Sequence, residues 1–145
     1  MKNVLSVVFG FIISIASAQT VLKPDHVFDG NNLQEGWVVL VKDNKILDVG
    51  PEASVKLPKG TKEILLEGKT LMPGLIEGHS HVLLHPYNET GWNDQVLKES
   101  PVERSIRATN HVRNSLLAGV TTMRDLGAEG AGYSDVYIKK TIDKG

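Results

Sequence analysis

The pattern of apolar and polar positions divides the chain into three parts. Residues 4–15 form an almost unbroken apolar run. Residues 19–72 carry brief apolar runs separated by turn residues, which is typical of short β-strands. In residues 73–145, β-branched runs alternate with stretches of helical period, and such alternation is typical of βαβ units with a parallel sheet. The pattern therefore predicts a leader over residues 1–18, then a β-rich domain, then an α/β domain.

The amino terminus has the layout of a secretory signal peptide. Lys2 supplies a positive charge, the apolar run follows, and Ala16-Ser17-Ala18 forms an A-x-A cleavage site. The run is too short for a spanning helix, which needs about 20 apolar residues. A buried core helix is the competing interpretation, but the cleavage site favours a leader. We therefore expect an exported protein, periplasmic or secreted, with no membrane association after cleavage.

The β-rich domain is expected to contain a hairpin. Four runs have strand character: residues 36–42, 45–49, 63–67 and 70–72. Asp43-Asn44 separates the first two and predicts the tight turn of a hairpin. A domain of this size forms a marginal core by itself, so we expect it to pack on another part of the protein.

The α/β domain carries clear helix boundaries. Ser100 and Glu103 form a capping box, with Pro101 at the first helical position. Gly119 lies where a glycine ends a helix, and the β-branched residues 120–124 predict a buried strand. A last helix is expected to begin at the capping pair Ser134-Asp135 and to run to about residue 143.

Composition narrows the possible chemistry. Lys plus Arg number 16 and Asp plus Glu number 17, so the net charge of −1 gives no footprint for nucleic acid. The sequence has no cysteine, which excludes a disulfide scaffold, a thiolate zinc site and a cysteine nucleophile. Any metal site must therefore use His, Asp or Glu.

A His-x-His pair is the main candidate for such a site. His79 and His81 stand at the end of a short apolar run. Because side chains alternate along a strand, the two imidazoles should point one way and Ser80 the other. Both can then reach one divalent ion, at the strand end where barrel enzymes place catalytic groups. A pair of exposed loop histidines is the competing interpretation, but the surrounding strand–helix–strand order favours the metal site.

Two segments resemble a known family. Residues 71–81 (LMPGLIEGHSH) resemble the signature opening of the metal-dependent amidohydrolase superfamily, and residues 119–127 (GVTTMRDLG) resemble its second barrel strand. The branch is that of imidazolonepropionase and exported prolidase-like enzymes. The predicted hairpin resembles part of the family's small β-sandwich domain. The resemblance implies an α/β fold: the start of a (β/α)8 TIM barrel, preceded by part of a β-sandwich.

The resemblance also implies a function and a cofactor. His79 and His81 would be ligands of a divalent metal ion, Zn²⁺ being the expected ion in a site of one or two ions. The metal would activate a water that attacks the carbon–nitrogen bond of a small-molecule amide or cyclic amide. The family usually has Asp where this chain has Glu77. Glu77 is expected either to orient a ligand histidine without binding the metal or to solvate the strand end.

Other candidate residues carry weaker signals. His85 follows the pair in a loop and would either contact substrate or play no part. Trp92 lies in a polar loop over residues 87–94 and would either line the substrate pocket or cover the helix layer. His111 lies within the predicted helix and is expected to be a surface or packing residue. Arg124 and Asp125, at the end of the second strand, would either face the rim of the site or make a structural salt bridge or loop hydrogen bond.

The predicted barrel is incomplete. A full barrel needs roughly 250 residues, and residues 73–145 suffice for two of its eight units. The family's later ligands and its proton-accepting Asp have no counterpart here, so no catalytic residue is assigned. We expect an inactive, truncated amino-terminal fragment of an exported amidohydrolase, which could belong to a homo-oligomer. The alternatives are a phosphotriesterase-type hydrolase on the same scaffold and a secreted β-rich binding module with an incidental His pair.

Overall fold

A computed structural model describes residues 19–145, and the predicted leader over residues 1–18 lies outside the described residues. The chain divides into two compact units, of which the first ends at Pro73 and the second spans Gly74–Gly145. Among the helices of residues 19–145, none is long and apolar enough to cross a membrane.

The described part of the first unit contains one five-stranded sheet. Its strands are β1 (Thr20–Phe28), β2 (Leu33–Glu35), β3 (Trp37–Lys42), β4 (Lys45–Pro51) and β5 (Lys62–Leu71). Strand β1 pairs antiparallel with β2 and β3, and parallel with β5. The predicted hairpin is confirmed: β3 and β4 pair from Lys42 and Lys45 outward, and Asp43 in the turn has φ 53°. The β-sandwich stays a prediction, since the described strands form a single sheet.

The two strands expected at residues 63–67 and 70–72 are one strand, β5. Gly68 lies between them and has φ +69°, a conformation that favours glycine. Its backbone N–H donates to Oδ2 of Asp25 at 3.1 Å, beside the register shift that follows Pro24 in β1. A bulge therefore lets β5 continue through Gly68 as one strand.

The second unit is mixed α/β, as predicted. Its elements are β6 (Leu75–Ser80), α1 (Trp92–Leu97), α2 (Pro101–Leu117), β7 (Val120–Asp125) and α3 (Ser134–Lys144). Strands β6 and β7 pair in parallel. The buried core consists of Val82, Leu83, Ala108 and Ala131, and Met123 of β7 packs against it.

The predicted boundaries of helix α2 are confirmed. The hydroxyl oxygen of Ser100 accepts a hydrogen bond from the backbone N–H of Glu103 at 3.1 Å, and Pro101 is the first helical residue. Gly119, with φ +96°, follows the last turn. Helix α3 begins at Ser134, but the predicted cap is wrong. The Ser134 hydroxyl donates to the carbonyl of Ala131 at 2.8 Å, because the residue already lies inside the first helical turn.

Two further expectations need correction. The polar loop expected over residues 87–94 ends early, because Trp92 begins helix α1. Strand β7 was expected to be buried, yet Thr121, Thr122 and Arg124 are exposed. Parallel strands are hidden only when both faces of their sheet are covered. In residues 74–145 the helices pack against Met123 and leave those three side chains in solvent.

Gly74 allows β6 and β7 to approach closely. A Cβ atom built at this position would collide with the side chain of Thr121 in β7. Gly78, which lies within strand β6, has open space where its Cβ would lie. The glycine before β6 is therefore required by packing, whereas Gly78 is not.

We predict that Gly74→Ala destabilises the protein by about 1–3 kcal/mol, the usual cost of forcing extra atoms into a packed contact. Gly78→Ala is the matched control and should change the free energy of unfolding by less than about 0.5 kcal/mol. Urea denaturation followed by circular dichroism measures both. Equal effects of the two substitutions would contradict the packing role of Gly74.

Candidate functional site

The candidate site lies at the carboxyl ends of the two parallel strands of the second unit. His79 is the penultimate residue of β6, and His81 follows the strand directly. The end of β7 lies beside them, since Ser80 pairs with Asp125 and accepts a hydrogen bond from the Leu126 N–H at 2.9 Å. The loops that follow β6 and β7 thus meet at one edge of the sheet.

His79 and His81 come together there. Their ring centroids lie 5.5 Å apart with an interplanar angle of 61°. Both line an open cleft of about 800 Å³. Ser80, which strand alternation places on the opposite face, also lines this cleft because the strand ends at that residue. The side chain of His81 is 27% exposed, so it is accessible from the cleft.

The ring of His81 is oriented by the loop after β7. Its Nδ1 lies 3.2 Å from the carbonyl oxygen of Gly127 and 3.6 Å from Oε1 of Glu129. A carbonyl oxygen can only accept, so Nδ1 carries the hydrogen and Nε2 is left for a ligand. Histidines that bind metals generally donate their other ring N–H in this way.

Glu77 contacts the pair through the backbone. One of its carboxylate oxygens accepts a hydrogen bond from the His79 N–H at 2.8 Å, and its side chain lines the cleft. The sequence left two roles open for Glu77, and the observed bond holds the main chain at His79. Its effect on a ligand histidine stays a prediction.

Asp125 joins the two loops. Its carboxylate accepts hydrogen bonds from the backbone N–H of Val82 at 2.8 Å and of Gly127 at 2.9 Å. Of the two roles that the sequence left open, the structure shows the loop contact. Asp125 thereby holds the Gly127 peptide beside His81.

Arg104 of helix α2 is the deepest charged group of the second unit, with 1% of its surface exposed. It donates to the carbonyl of Leu83 at 3.2 Å, and to those of Ala128 and Glu129 at 2.9 Å each. Burial lowers the pKa of the Arg104 guanidinium; among the smaller effects, Glu99 and Glu129 raise this pKa and Arg107 lowers it. Arginine nevertheless remains protonated. Sequence reasoning missed this residue, although it lies four positions before the core residue Ala108.

Gln95 of helix α1 fixes the loop that carries His85. Its side chain is fully buried. The Gln95 amide nitrogen donates to the carbonyls of His85 at 3.2 Å and Thr90 at 2.6 Å, while its oxygen accepts from the His85 N–H. The backbone of His85 is therefore held on both sides, and its ring lines the cleft.

His111 also lines the cleft, which sequence reasoning did not predict. Its ring centroid lies 5.5 Å from that of His85, and its Nδ1 lies 2.9 Å from the carbonyl oxygen of Val82. Four of the five histidines in the sequence thus surround one cleft. The available signal was its position on α2, three residues after the buried Ala108.

Trp92, the first residue of helix α1, does not line the cleft, unlike Tyr87 and Glu89 of the preceding loop. Its indole N–H donates to Oε2 of Glu129 at 3.3 Å, and the described residues that line the cleft do not include it. Its role in substrate binding stays a prediction.

The side chains around the cleft supply part of a ligand set for the metal that the resemblance implies. Within residues 19–145, no three or more His, Asp or Glu side chains are arranged to hold an ion. His79 and His81 nevertheless fit as two members of a larger ligand set, because they share a cleft and His81 has its Nδ1 committed to Gly127.

Comparison with known proteins gives sequence relatives. No protein-family model matches the chain. The exoenzymes regulatory protein AepA of Pectobacterium carotovorum is 42% identical over 82 residues, covering 54% of this chain and 18% of that protein. An adenine deaminase of Paracoccus denitrificans is 32% identical over 91 residues, covering 62% and 15%. An imidazolonepropionase of Alkaliphilus metalliredigens is 37% identical over 54 residues, covering 35% and 13%.

Solved structures agree with these relatives. A prolidase complexed with N-methylphosphonate-L-proline is 30% identical with a TM-score of 0.65, covering 86% of this chain and 29% of that one. The resemblance to amidohydrolases is confirmed. A Xaa-Pro dipeptidase with bound methionine reaches a TM-score of 0.70 at 21% identity, covering 88% and 30%, and supports the amidohydrolase fold alone. The chain spans less than a third of the length of these relatives and solved structures.

We predict that Arg104→Leu lowers the free energy of unfolding by about 2–4 kcal/mol, because a carbonyl left without its donor costs about 1–3 kcal/mol and such costs do not add fully. The exposed Arg113 of the same helix provides the control, and Arg113→Leu should change stability by less than about 0.5 kcal/mol. Chemical denaturation measures both. A loss below 1 kcal/mol for Arg104→Leu would contradict its role as the link between the loops.

Proposed function

We propose that the protein carrying this chain hydrolyses a carbon–nitrogen bond of a small-molecule amide with the help of a divalent metal ion. The observation that carries the proposal is the His79–His81 pair at the carboxyl end of β6, with Nδ1 of His81 committed to the Gly127 carbonyl. The similarity to adenine deaminase, imidazolonepropionase and prolidase supports the reaction class.

His79 and His81 would hold the metal, which we propose to be Zn²⁺, in a site of one or two ions. Imidazole nitrogen suits zinc and several other transition metals. When bound, such an ion polarises a substrate carbonyl and activates water for attack. The remaining ligands and the catalytic acid–base group are proposed to lie outside residues 19–145.

The residues of this chain would position the site. Gly127 fixes the tautomer of His81, and Glu77 fixes the main chain of His79. Asp125 and Arg104 hold the loop that carries Gly127. Each contact restricts the conformation of a ligand histidine or its loop, so less conformational entropy would be lost when a metal binds.

The proposed scaffold is an amidohydrolase barrel in which β6 and β7 are the first two strands. Their parallel pairing and the likeness to complete amidohydrolase structures support this assignment. The proposed substrates are cyclic amides, proline dipeptides or other small amides. The barrel would be completed by residues not contained in this chain.

The function is tested on the complete natural protein that carries these residues. After removal of metal with a chelator, Zn²⁺ should restore turnover of a member of a panel of cyclic amides and Xaa-Pro dipeptides. His81→Asn should lower kcat/KM at least about 100-fold, since even the loss of a partner of a ligand costs about 10–100-fold.

His26→Asn, in the first unit, is the matched control and should keep wild-type turnover. The isolated 145-residue chain should show none. Turnover that survives both chelation and His81→Asn would overturn the proposed function. Turnover by the isolated chain would overturn the proposal that its active site is incomplete.

We further propose that the protein is exported and that the leader is removed after Ala18. Amino-terminal sequencing of protein recovered from the periplasm or medium should then begin at Gln19. Ala18→Leu should block cleavage, because signal peptidase sites need small residues, whereas Thr20→Leu should not. Protein that stays inside the cell with Met1 still at its amino terminus would contradict export.

A further inference from the structure

A second histidine pair lines the same cleft and is not used by the proposed reaction. His85, in the loop after β6, and His111, in the middle of α2, have ring centroids 5.5 Å apart and an interplanar angle of 67°. The described residues around the cleft include both rings, so a small ligand could reach them from its open side.

The spacing of the two rings suits a shared metal ion. When two imidazoles bind one zinc ion at about 2.0–2.1 Å from each nitrogen, their centroids lie about 5 Å apart at the tetrahedral angle. The observed 5.5 Å is close to this value and equals the spacing of the His79–His81 pair. The ring spacing is therefore compatible with a shared ion, with each ring turned so that its Nε2 atom faces that ion.

The Nδ1 atom of each ring also lies close to an oxygen atom that can accept a hydrogen bond. His111 donates Nδ1–H to the carbonyl oxygen of Val82 at 2.9 Å, since a carbonyl can only accept. Nδ1 of His85 lies 3.4 Å from Oε2 of Glu89. In His111, Nε2 is then the nitrogen available to a ligand, and the nearby Glu89 carboxylate favours the same tautomer in His85. A carbonyl or carboxylate beside the other ring nitrogen is the usual arrangement for metal-binding histidines.

Both positions are held rigidly. The buried side chain of Gln95 fixes the backbone of His85 through its N–H and carbonyl. His111 lies within a helix of 17 residues. A fixed backbone at both positions lowers the cost of arranging the pair around an ion.

The charges near the pair permit a cation. Glu89 lies beside His85. Arg107 also lines the cleft, but its guanidinium is paired with Glu99 at 2.6 Å. The Glu99 carboxylate offsets the positive charge of Arg107. This side of the cleft therefore favours an anion less than an unpaired arginine would.

We propose that His85 and His111 bind a divalent transition-metal ion of the zinc class, with water completing its coordination. This auxiliary site is separate from the ligand pair His79–His81 and does not rest on the proposed hydrolysis. With two protein ligands it should bind more weakly than a structural zinc site, which has four.

The test uses the complete natural protein, stripped of metal and dialysed against Zn²⁺, with bound zinc measured by mass spectrometry. The double variant His85→Gln/His111→Gln should bind one zinc fewer per chain than wild type. The variant His79→Gln/His81→Gln should keep the auxiliary ion, and the control His26→Gln should bind as wild type does.

Unchanged zinc stoichiometry in His85→Gln/His111→Gln would overturn the auxiliary site. Loss of zinc only in His79→Gln/His81→Gln would do the same while leaving the proposed function intact. Loss of zinc only in His85→Gln/His111→Gln would support the auxiliary site and contradict the proposed function. The two proposals therefore fail separately.

A measurement on the wild-type protein covers the case in which the double variant does not fold. Long-range ¹⁵N–¹H spectra report each histidine ring. Titration with Zn²⁺ should shift the Nε2 signals of His85 and His111 and leave that of His26 in place. Shifts confined to other histidines would contradict the proposal. A response of these two rings to acetate instead of zinc would also contradict it and would indicate that this side of the cleft binds an anion.

Discussion

The second unit depends on one buried cation. The guanidinium of Arg104 connects the loop after β6, through Leu83, to the loop after β7, through Ala128 and Glu129. Removing arginine from water is costly unless its donors find acceptors, and three carbonyls at 2.9–3.2 Å meet that need. Arg104 thus fixes both loops to helix α2, and it adds to the direct link that Asp125 makes between them.

The orientation of the candidate ligand follows from this link. Arg104 binds the carbonyls of Ala128 and Glu129. The preceding Gly127 donates its N–H to Asp125, and its carbonyl accepts a hydrogen bond from His81. The order of the site is therefore produced by polar contacts to the backbone. These contacts are made entirely within the chain, which is the preorganisation that a binding site requires.

Several local features of the sequence predicted local structure correctly, although the cap expected at Ser134 was wrong. The capping residues Ser100 and Glu103, the turn at Asp43 and the His79–His81 spacing all act within a few residues of themselves, so their effects could be derived from the sequence. Arg104, Gln95 and His111 could not be assigned in this way. Arg104 bonds to carbonyls that lie 21 to 25 positions away, and the sequence does not show which turns bring them together. The exposure of β7 is likewise a tertiary property.

Stability and site geometry are coupled in this unit because the same residues serve both. Val82 and Leu83 follow His81 directly and belong to the buried core. The backbone of Val82 also donates to Asp125 and accepts from His111. A change in core packing at Val82 would therefore move the partners of both histidine pairs. The unit cannot loosen its core without displacing the groups proposed to bind metal.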